Sequence, residues 1–300
     1  MSFFEWAQKV NIDRRQQASG DHSMKTVTLP SGKHVSALGL GTWYLGENRA
    51  TRTEEIATLR LGLDLGVTLI DTAEMYGDGR SEEMVAEAIE GRRDDVFLVS
   101  KVSPNNASRK GAVAACERSL ARLRTDHLDF YLLHWRGNVP FAETLEAFVA
   151  LQKAGKIHHF GVSNLDLADM QELVSVPCGP AVATNQLLYN LARRGIEWDL
   201  LPWLRERRIP VMAYSPIEQA RLVLHPKLVD FAQRHGMTPA QASLAWLLAH
   251  DDVIVIPKTG HRDRLKENIG ALDHRLTPAQ LAELDRLFPP PTGPRLLEML

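Results

Sequence analysis

Val67-Thr-Leu-Ile-Asp71-Thr-Ala-Glu-Met-Tyr76-Gly77 is a short apolar, β-branched run that ends abruptly in an aspartate, with a tyrosine five residues further on. An apolar run bounded by polar and glycine residues reads as a strand buried on both faces. Its last side chain therefore emerges at one end of a sheet, and in α/β folds that end carries the chemistry.

The same unit repeats on both sides of this stretch as a rhythm of apolar run, polar or glycine-rich loop, and amphipathic segment. The runs are Leu38–Leu40, Val67–Ile70, Val96–Val99, Leu128–Leu133, Ile157–Val162, Ala181–Ala183, Pro210–Ala213 and Val253–Ile256. Segments with apolar residues three and four apart lie between them, at Glu54–Leu65, Ser81–Glu90, Arg109–Leu123, Phe141–Ala154 and Pro239–Ala249. Ser81 and Thr238 are placed to be N-caps, the latter just ahead of Pro239. Eight strand–helix units in 300 residues predict a closed parallel (β/α)8 barrel, since doubly wound sheets use fewer strands. Two amphipathic segments, His225–His235 and Thr277–Phe288, exceed that count and are expected to pack outside the barrel. Ahead of it, alternation around Pro30-Ser-Gly-Lys33 predicts a small hairpin. No Pro-, Gly- or Ser-rich linker divides the chain, so residues 24–300 are expected to form one domain after a polar, poorly ordered leader over 1–23.

From the second run to the eighth the ends are all polar: Asp71, Lys101, His134, Ser163 with Asn164, Gln186, Tyr214 with Ser215, and Lys258. Each alone has an ordinary structural reading as a turn former, a satisfied core histidine or a helix cap. Their convergence on one mouth of a barrel favours a site.

Asp71, Tyr76, Lys101 and His134 at these spacings resemble the catalytic tetrad of the aldo-keto reductases. The resemblance extends to Gly39-Leu-Gly41-Thr42-Trp43, Asp71-Thr-Ala-Glu-Met-Tyr76-Gly77, Leu132-Leu-His134-Trp135, Gly161-Val-Ser163-Asn164, Asn185-Gln186, Ala213-Tyr214-Ser215-Pro216 and Ile256-Pro-Lys258-Thr259, in the family's order, from about Lys25 to about Pro290. It implies a monomeric or weakly dimeric (β/α)8 barrel that binds NADPH in extended form across the strand ends and reduces small carbonyl compounds. It also implies that Gly41, Thr42, Trp43, Asp71, Ser215 and Pro216 contact the dinucleotide. Some barrels of this family are potassium-channel β-subunits that bind nucleotide chiefly as interaction partners, and such a role is the rival reading.

The chemistry of the four residues can be read directly. Reducing a carbonyl needs a proton delivered to the oxygen as negative charge develops there. A tyrosine with a pKa of ~10 is a reluctant donor alone, and an adjacent ammonium stabilises its phenolate. Tyr76 is thus expected to be the donor, with its pKa brought within reach of neutrality by Lys101, and Asp71 to hold the lysine. His134 can point a ring N–H at the same oxygen. The structural alternative for Asp71 and Lys101 is an ion pair that only ties two strands. Ser163, Asn164 and Gln186 can hydrogen-bond a carboxamide, and Tyr214 can stack on a flat ring, as a nicotinamide requires. By resemblance, Lys258, Thr259 and Arg264 take an adenosine 2′-phosphate, and Glu267 and Asn268 lie near adenine. Trp43 and Trp135, with Tyr76 and His134, are expected on the substrate side, although both tryptophans could be core aromatics. Arg136 has two readings, a grip on a second substrate oxygen or a surface arginine. The tail from Pro289 to Leu300 shows no pocket signature.

Other classes are disfavoured. A net charge of −2 without a basic run argues against nucleic-acid and anionic-membrane partners. No apolar run has the length of a membrane span, and two cysteines without C-x-x-C spacing point to a reducing, cytoplasmic setting. Among 11 histidines there is no H-E-x-x-H, so no catalytic metal is expected. Gly39-Leu-Gly41-Thr-Trp-Tyr44 lacks the third glycine of a Rossmann fingerprint, and no G-x-S-x-G elbow is present.

Overall fold

A computed structural model describes residues 24–300, which fold as an eight-stranded parallel barrel with a hairpin at its foot. The hairpin pairs β1 (Thr26–Thr28) with β2 (His34–Ser36) in antiparallel register. The predicted leader over 1–23 lies outside the described residues.

The barrel strands are β3 (Gly39–Gly41), β4 (Leu69–Asp71), β5 (Phe97–Val102), β6 (Leu128–Leu133), β7 (Ile157–Ser163), β8 (Asn185–Leu188), β9 (Val211–Tyr214) and β10 (Val253–Ile256), each paired parallel to the next. Parallel bridges Leu38–Val255 and Gly41–Lys258 close the ring between the first and last barrel strands. Gly41 permits that closure, because a Cβ there would stand 2.9 Å from the Ile256 carbonyl oxygen.

Eight helices follow the barrel strands: α1 (Arg52–Asp64), α2 (Arg80–Ala88), α3 (Arg109–Leu123), α4 (Phe141–Lys153), α5 (Leu167–Ser175), α6 (Leu200–Glu206), α8 (Pro239–Leu248) and α9 (Arg262–Ile269). The two surplus segments are α7 (Pro226–Arg234), inserted before α8, and α10 (Pro278–Leu287). Thr238 caps α8 as expected, in a capping box completed by Gln241.

Two sequence expectations fail locally. The sixth run is misplaced: Gly179–Ala181 is a 3-10 turn, and the strand begins at Asn185. Asn185 and Gln186 are buried in that strand because their amides have partners, Leu165 O and Asp71 Oδ1, so apolar content alone misreads it. Ser81 does not cap α2, whose N-cap is Gly79 in left-handed conformation. The buried Ser81 Oγ donates instead to Thr42 Oγ1 at 2.9 Å, fastening the loop after β3 to α2.

Candidate functional site

The carboxyl ends of the strands open into a cleft of about 830 Å³, within the size range of ligand pockets. Behind its floor Lys101, near the end of β5 and fully buried, meets Asp71 at the end of β4. An ammonium has three N–H groups, and all have acceptors here. Nζ stands 2.8 and 2.9 Å from the two Asp71 oxygens, 2.8 Å from Thr72 O and 3.3 Å from Tyr76 Oη. Lys101 therefore donates to the phenolic oxygen, and the Tyr76 O–H is left to donate elsewhere. Among the described residues it has no other hydrogen-bond partner.

Tyr76 is carried by the turn Tyr76–Gly79, where Gly77, Asp78 and Gly79 are all left-handed at φ 56°, 54° and 89°. Glu74 braces the segment before the turn from the next strand's loop, accepting from Ser103 N at 2.8 Å and Asn106 Nδ2 at 2.9 Å. The tyrosine ring meets the His134 ring edge-on, with centroids 5.8 Å apart.

The electrostatics correct one expectation. Burial, with the Asp71 carboxylate, pushes the Tyr76 phenol well above its ordinary value rather than toward neutrality. Burial likewise draws Lys101 down, opposed by Asp71 and Glu82. Burial also lowers His134 to about 2, reinforced by the Lys101 charge. The resting site thus holds a protonated phenol and a neutral imidazole. The His134 Nδ1 is buried without a protein partner.

The remaining strand ends interlock. Gln186 Nε2 donates to Asp71 Oδ1 at 2.8 Å, so a residue expected only at a carboxamide also braces the ion pair. Ser163 Oγ donates to Gln186 O at 2.9 Å, Asn164 Nδ2 to His134 O at 3.2 Å, and Tyr214 Oη to Asn164 Oδ1 at 2.9 Å. Asn164 adopts a left-handed φ of 57°, a conformation that asparagine tolerates better than most residues. Ser215 also lines the cleft, and its buried Oγ finds no partner within the protein.

Every residue expected at the cofactor or substrate lies on this one cleft except Lys101, which sits behind it holding Asp71 and Tyr76. Trp43 and Trp135 are cleft walls rather than core aromatics, partly exposed there. Lys258 and Thr259 just before α9, Arg264 in its first turn, and Glu267 and Asn268 in its last turn all line the cleft, and the unpaired backbone N–H groups at the start of α9 favour an anion. Partial desolvation lowers the Lys258 pKa, with Glu55 opposing and the Arg264 charge reinforcing.

Arg136 is not part of the cleft. Its guanidinium pairs with Asp169 and Glu172 and lies 4.7 Å from the Phe141 ring, which fixes it as a surface brace. The tail, by contrast, does reach the cleft through Met299 and Leu300, as do Met75, Gln219 and Ala220. The run of Leu296, Leu297, Met299 and Leu300 after a proline-rich stretch was the available signal. One group of metal-ligating side chains occurs among the described residues, His127, Asp129 and His158. It stands at the opposite ends of β6 and β7 from the cleft, and Asp129 there already accepts from Arg93 and Leu98 N.

The sequence profile of the Aldo/keto reductase family matches residues 37–288. The chain is 49% identical over 289 residues to the methylglyoxal reductase YeaE of Escherichia coli (strain K12), covering 95% of this chain and 98% of that protein. It is 32% identical to the glyoxal reductase of Bacillus subtilis (strain 168), over 87% of this chain and 92% of that one. The crystal structure of an aldo/keto reductase from Klebsiella pneumoniae, solved in complex with NADP and acetate, superposes with a TM-score of 0.90 at 51% identity, covering 92% of this chain and all of that one. Profile, relatives and barrel agree: the chain belongs to the aldo/keto reductase family.

Proposed function

We propose that this protein reduces small aldehydes and ketones to alcohols with NADPH, with α-oxo aldehydes of the methylglyoxal type among its better substrates. The observation that carries the reading is the Lys101 ammonium, whose N–H groups all have acceptors, so that the Tyr76 hydroxyl it touches is left free to donate. A structural ion pair alone would not need a tyrosine oriented in this way.

The residues fit a dinucleotide. The unpartnered Ser215 Oγ, the interlocked amides of Asn164 and Gln186, and the flat Tyr214 ring suit a nicotinamide at one end of the cleft. Lys258, Thr259 and Arg264 at the start of α9 suit a phosphate at the other. The dinucleotide supplies the hydride. Tyr76 donates its proton to the carbonyl oxygen as that oxygen gains charge, and Lys101 stabilises the phenolate left behind. His134, neutral, presents its other ring nitrogen to the same oxygen and orients the carbonyl. Trp43 and Trp135 exclude water from one side. The α-oxo aldehyde assignment draws on the named activities of the relatives and on the small, aromatic-walled mouth.

The interaction-partner reading has no observation in its favour, since the matched relatives named above are reductases. No described helix is long and apolar enough to cross a membrane. We place the enzyme in the cytoplasm as a monomer or weak homodimer, a setting in which Cys116 and Cys178 remain free thiols. Purified protein, methylglyoxal and NADPH test the reading directly through loss of NADPH absorbance. Absence of dinucleotide-dependent turnover across an aldehyde and ketone panel overturns it.

NADPH is expected to exceed NADH in kcat/KM by at least tens-fold. Lys258 and Arg264 would each make with the 2′-phosphate a charge-assisted hydrogen bond worth ~1.5–3 kcal/mol that NADH leaves unmade. Equal values for the two cofactors would remove the phosphate from this end of the cleft. An Arg264→Ala enzyme that keeps its NADPH affinity would remove Arg264 alone.

The pH profile follows from the shifts. The raised Tyr76 pKa keeps the donor protonated throughout the neutral range, and His134, lowered to about 2, stays neutral there. Carbonyl reduction should therefore be flat in kcat between about pH 6 and about pH 8. Alcohol oxidation needs the phenolate as base and should rise with pH across the same window. A reduction profile that falls through pH ~6.5 would show that His134 titrates in the catalytic complex.

A further inference from the structure

The final residues of the chain wall the cleft, yet little holds them there. Met299 and Leu300 line it, and the Leu300 backbone faces the Tyr214 hydroxyl. In the stretch leading to them Leu297 packs against the core while Leu296 is 93% exposed. A separate cavity of about 310 Å³ lies beneath residues 295–298. Among the described residues, the tail's one side-chain ion pair joins Glu298 Oε1 to Arg193 Nη1 at 2.5 Å.

The other N–H groups of Arg193 are directed elsewhere. Nε and Nη2 both donate to Glu218 Oε1 at 3.0 Å, and Arg221 Nη2 donates to the same oxygen at 2.8 Å. Glu218 Oε2 accepts from Asn190 Nδ2 at 2.8 Å, and that amide also donates to Ser215 O at 2.9 Å. Glu218 is 4% exposed. It opens a segment in which Glu218, Gln219 and Ala220 are all left-handed, at φ 51°, 52° and 70°. Three successive non-glycine residues in that region persist only where their surroundings over-determine them. Gln219 and Ala220 line the cleft next to Ser215 and Pro216, on the side assigned to the dinucleotide. A single guanidinium thus holds the strained segment on one side and the tail on the other.

We infer that the bridge Glu218–Arg193–Glu298 is a positioning device, in which Arg193 couples the seating of the 218–220 segment around the dinucleotide to the ordering of Met299 and Leu300 as a substrate wall. This rests on the reading of the cleft as an NADPH and carbonyl site. Arg193 and Glu298 touch neither reactant and act through the segments they hold. Glu298 sets carbonyl recognition, and Arg193 sets both carbonyl and nucleotide recognition.

Glu298→Gln and Arg193→Met separate the two links, read by steady-state kinetics with methylglyoxal, by fluorescence titration with NADPH, and by amide hydrogen exchange of residues 295–300. Glu298→Gln should raise KM for methylglyoxal about two- to fivefold, the scale of a half-exposed ion pair, with kcat and NADPH affinity held within about twofold. NADPH should slow tail exchange in the wild type and should do so less in Glu298→Gln. Arg193→Met should weaken NADPH and raise KM for methylglyoxal together, because it removes two of the four side-chain donors to Glu218. Wild-type KM and wild-type tail exchange in Glu298→Gln would overturn the coupling, and this holds even if Arg193→Met fails to fold. A wild-type protein that reduces no carbonyl with NADPH would refute the functional reading instead. The effect of NADP on tail exchange in Glu298→Gln would then still decide the bridge.

Discussion

Tyr76→Phe is expected to bind NADPH as the wild type does and to lose carbonyl reduction by the ~10²–10⁴-fold typical of a missing general acid. The substitution keeps the ring, so the edge-on contact with His134 and the cation–π contact with Lys101 at 4.9 Å survive. What disappears is one hydroxyl whose oxygen accepts from Lys101 and whose proton has no acceptor among the described residues. Fold stability should change little, because Lys101 retains Asp71 and Thr72 O as acceptors. The measurement is kcat for methylglyoxal beside an NADPH titration. A variant with near-normal kcat would shift the donor role to His134 or to a water.

The raised Tyr76 pKa bears on how this donor works. A phenol brought near neutrality in the resting enzyme would lose part of its proton before substrate arrived. In the observed site burial and Asp71 keep the proton on, and in the proposed mechanism the Lys101 contact stabilises the phenolate as transfer proceeds. The ammonium thus acts on the state formed during the reaction more than on the resting one, as differential binding of the transition state requires.

The barrel was legible because its signal is redundant. Apolar runs recur with amphipathic segments between them, and β6 and β10 fall within the predicted boundaries residue for residue. The convergence of Asp71, Lys101 and His134 was legible because a strand buried on both faces carries its last polar side chains to the mouth of the barrel. Legibility failed where burial is bought by hydrogen bonding rather than by apolar content. Asn185 and Gln186 look like loop residues and are strand residues, since each amide has a buried partner. Ser81 has the composition of a cap but is buried among hydroxyls of Thr42 and Thr72. The contribution of Met299 and Leu300 depends on where a non-helical tail returns across the surface, which neither period 2 nor period 3.6 encodes. The Arg193 bridge is hidden for the same reason, its partners lying 25 and 105 residues away.

Lys101→Met should match Tyr76→Phe in lost reduction and differ from it in stability. The lysine is fully buried, and Asp71 is 2% exposed. Without the ammonium, Asp71 keeps one described side-chain donor, Gln186 Nε2 at 2.8 Å. Removing one partner of a buried pair costs about 3–5 kcal/mol while the remaining charge stays ionised. The variant should therefore show a lower thermal midpoint, a signature Tyr76→Phe lacks. Catalytically, Lys101→Met and Tyr76→Phe disable one proton-transfer unit, so the double variant should be no slower than the worse single one. Losses that multiply would mean that lysine and tyrosine act independently. A Lys101→Met enzyme with wild-type kcat would reduce the Asp71–Lys101 pair to a tie between β4 and β5.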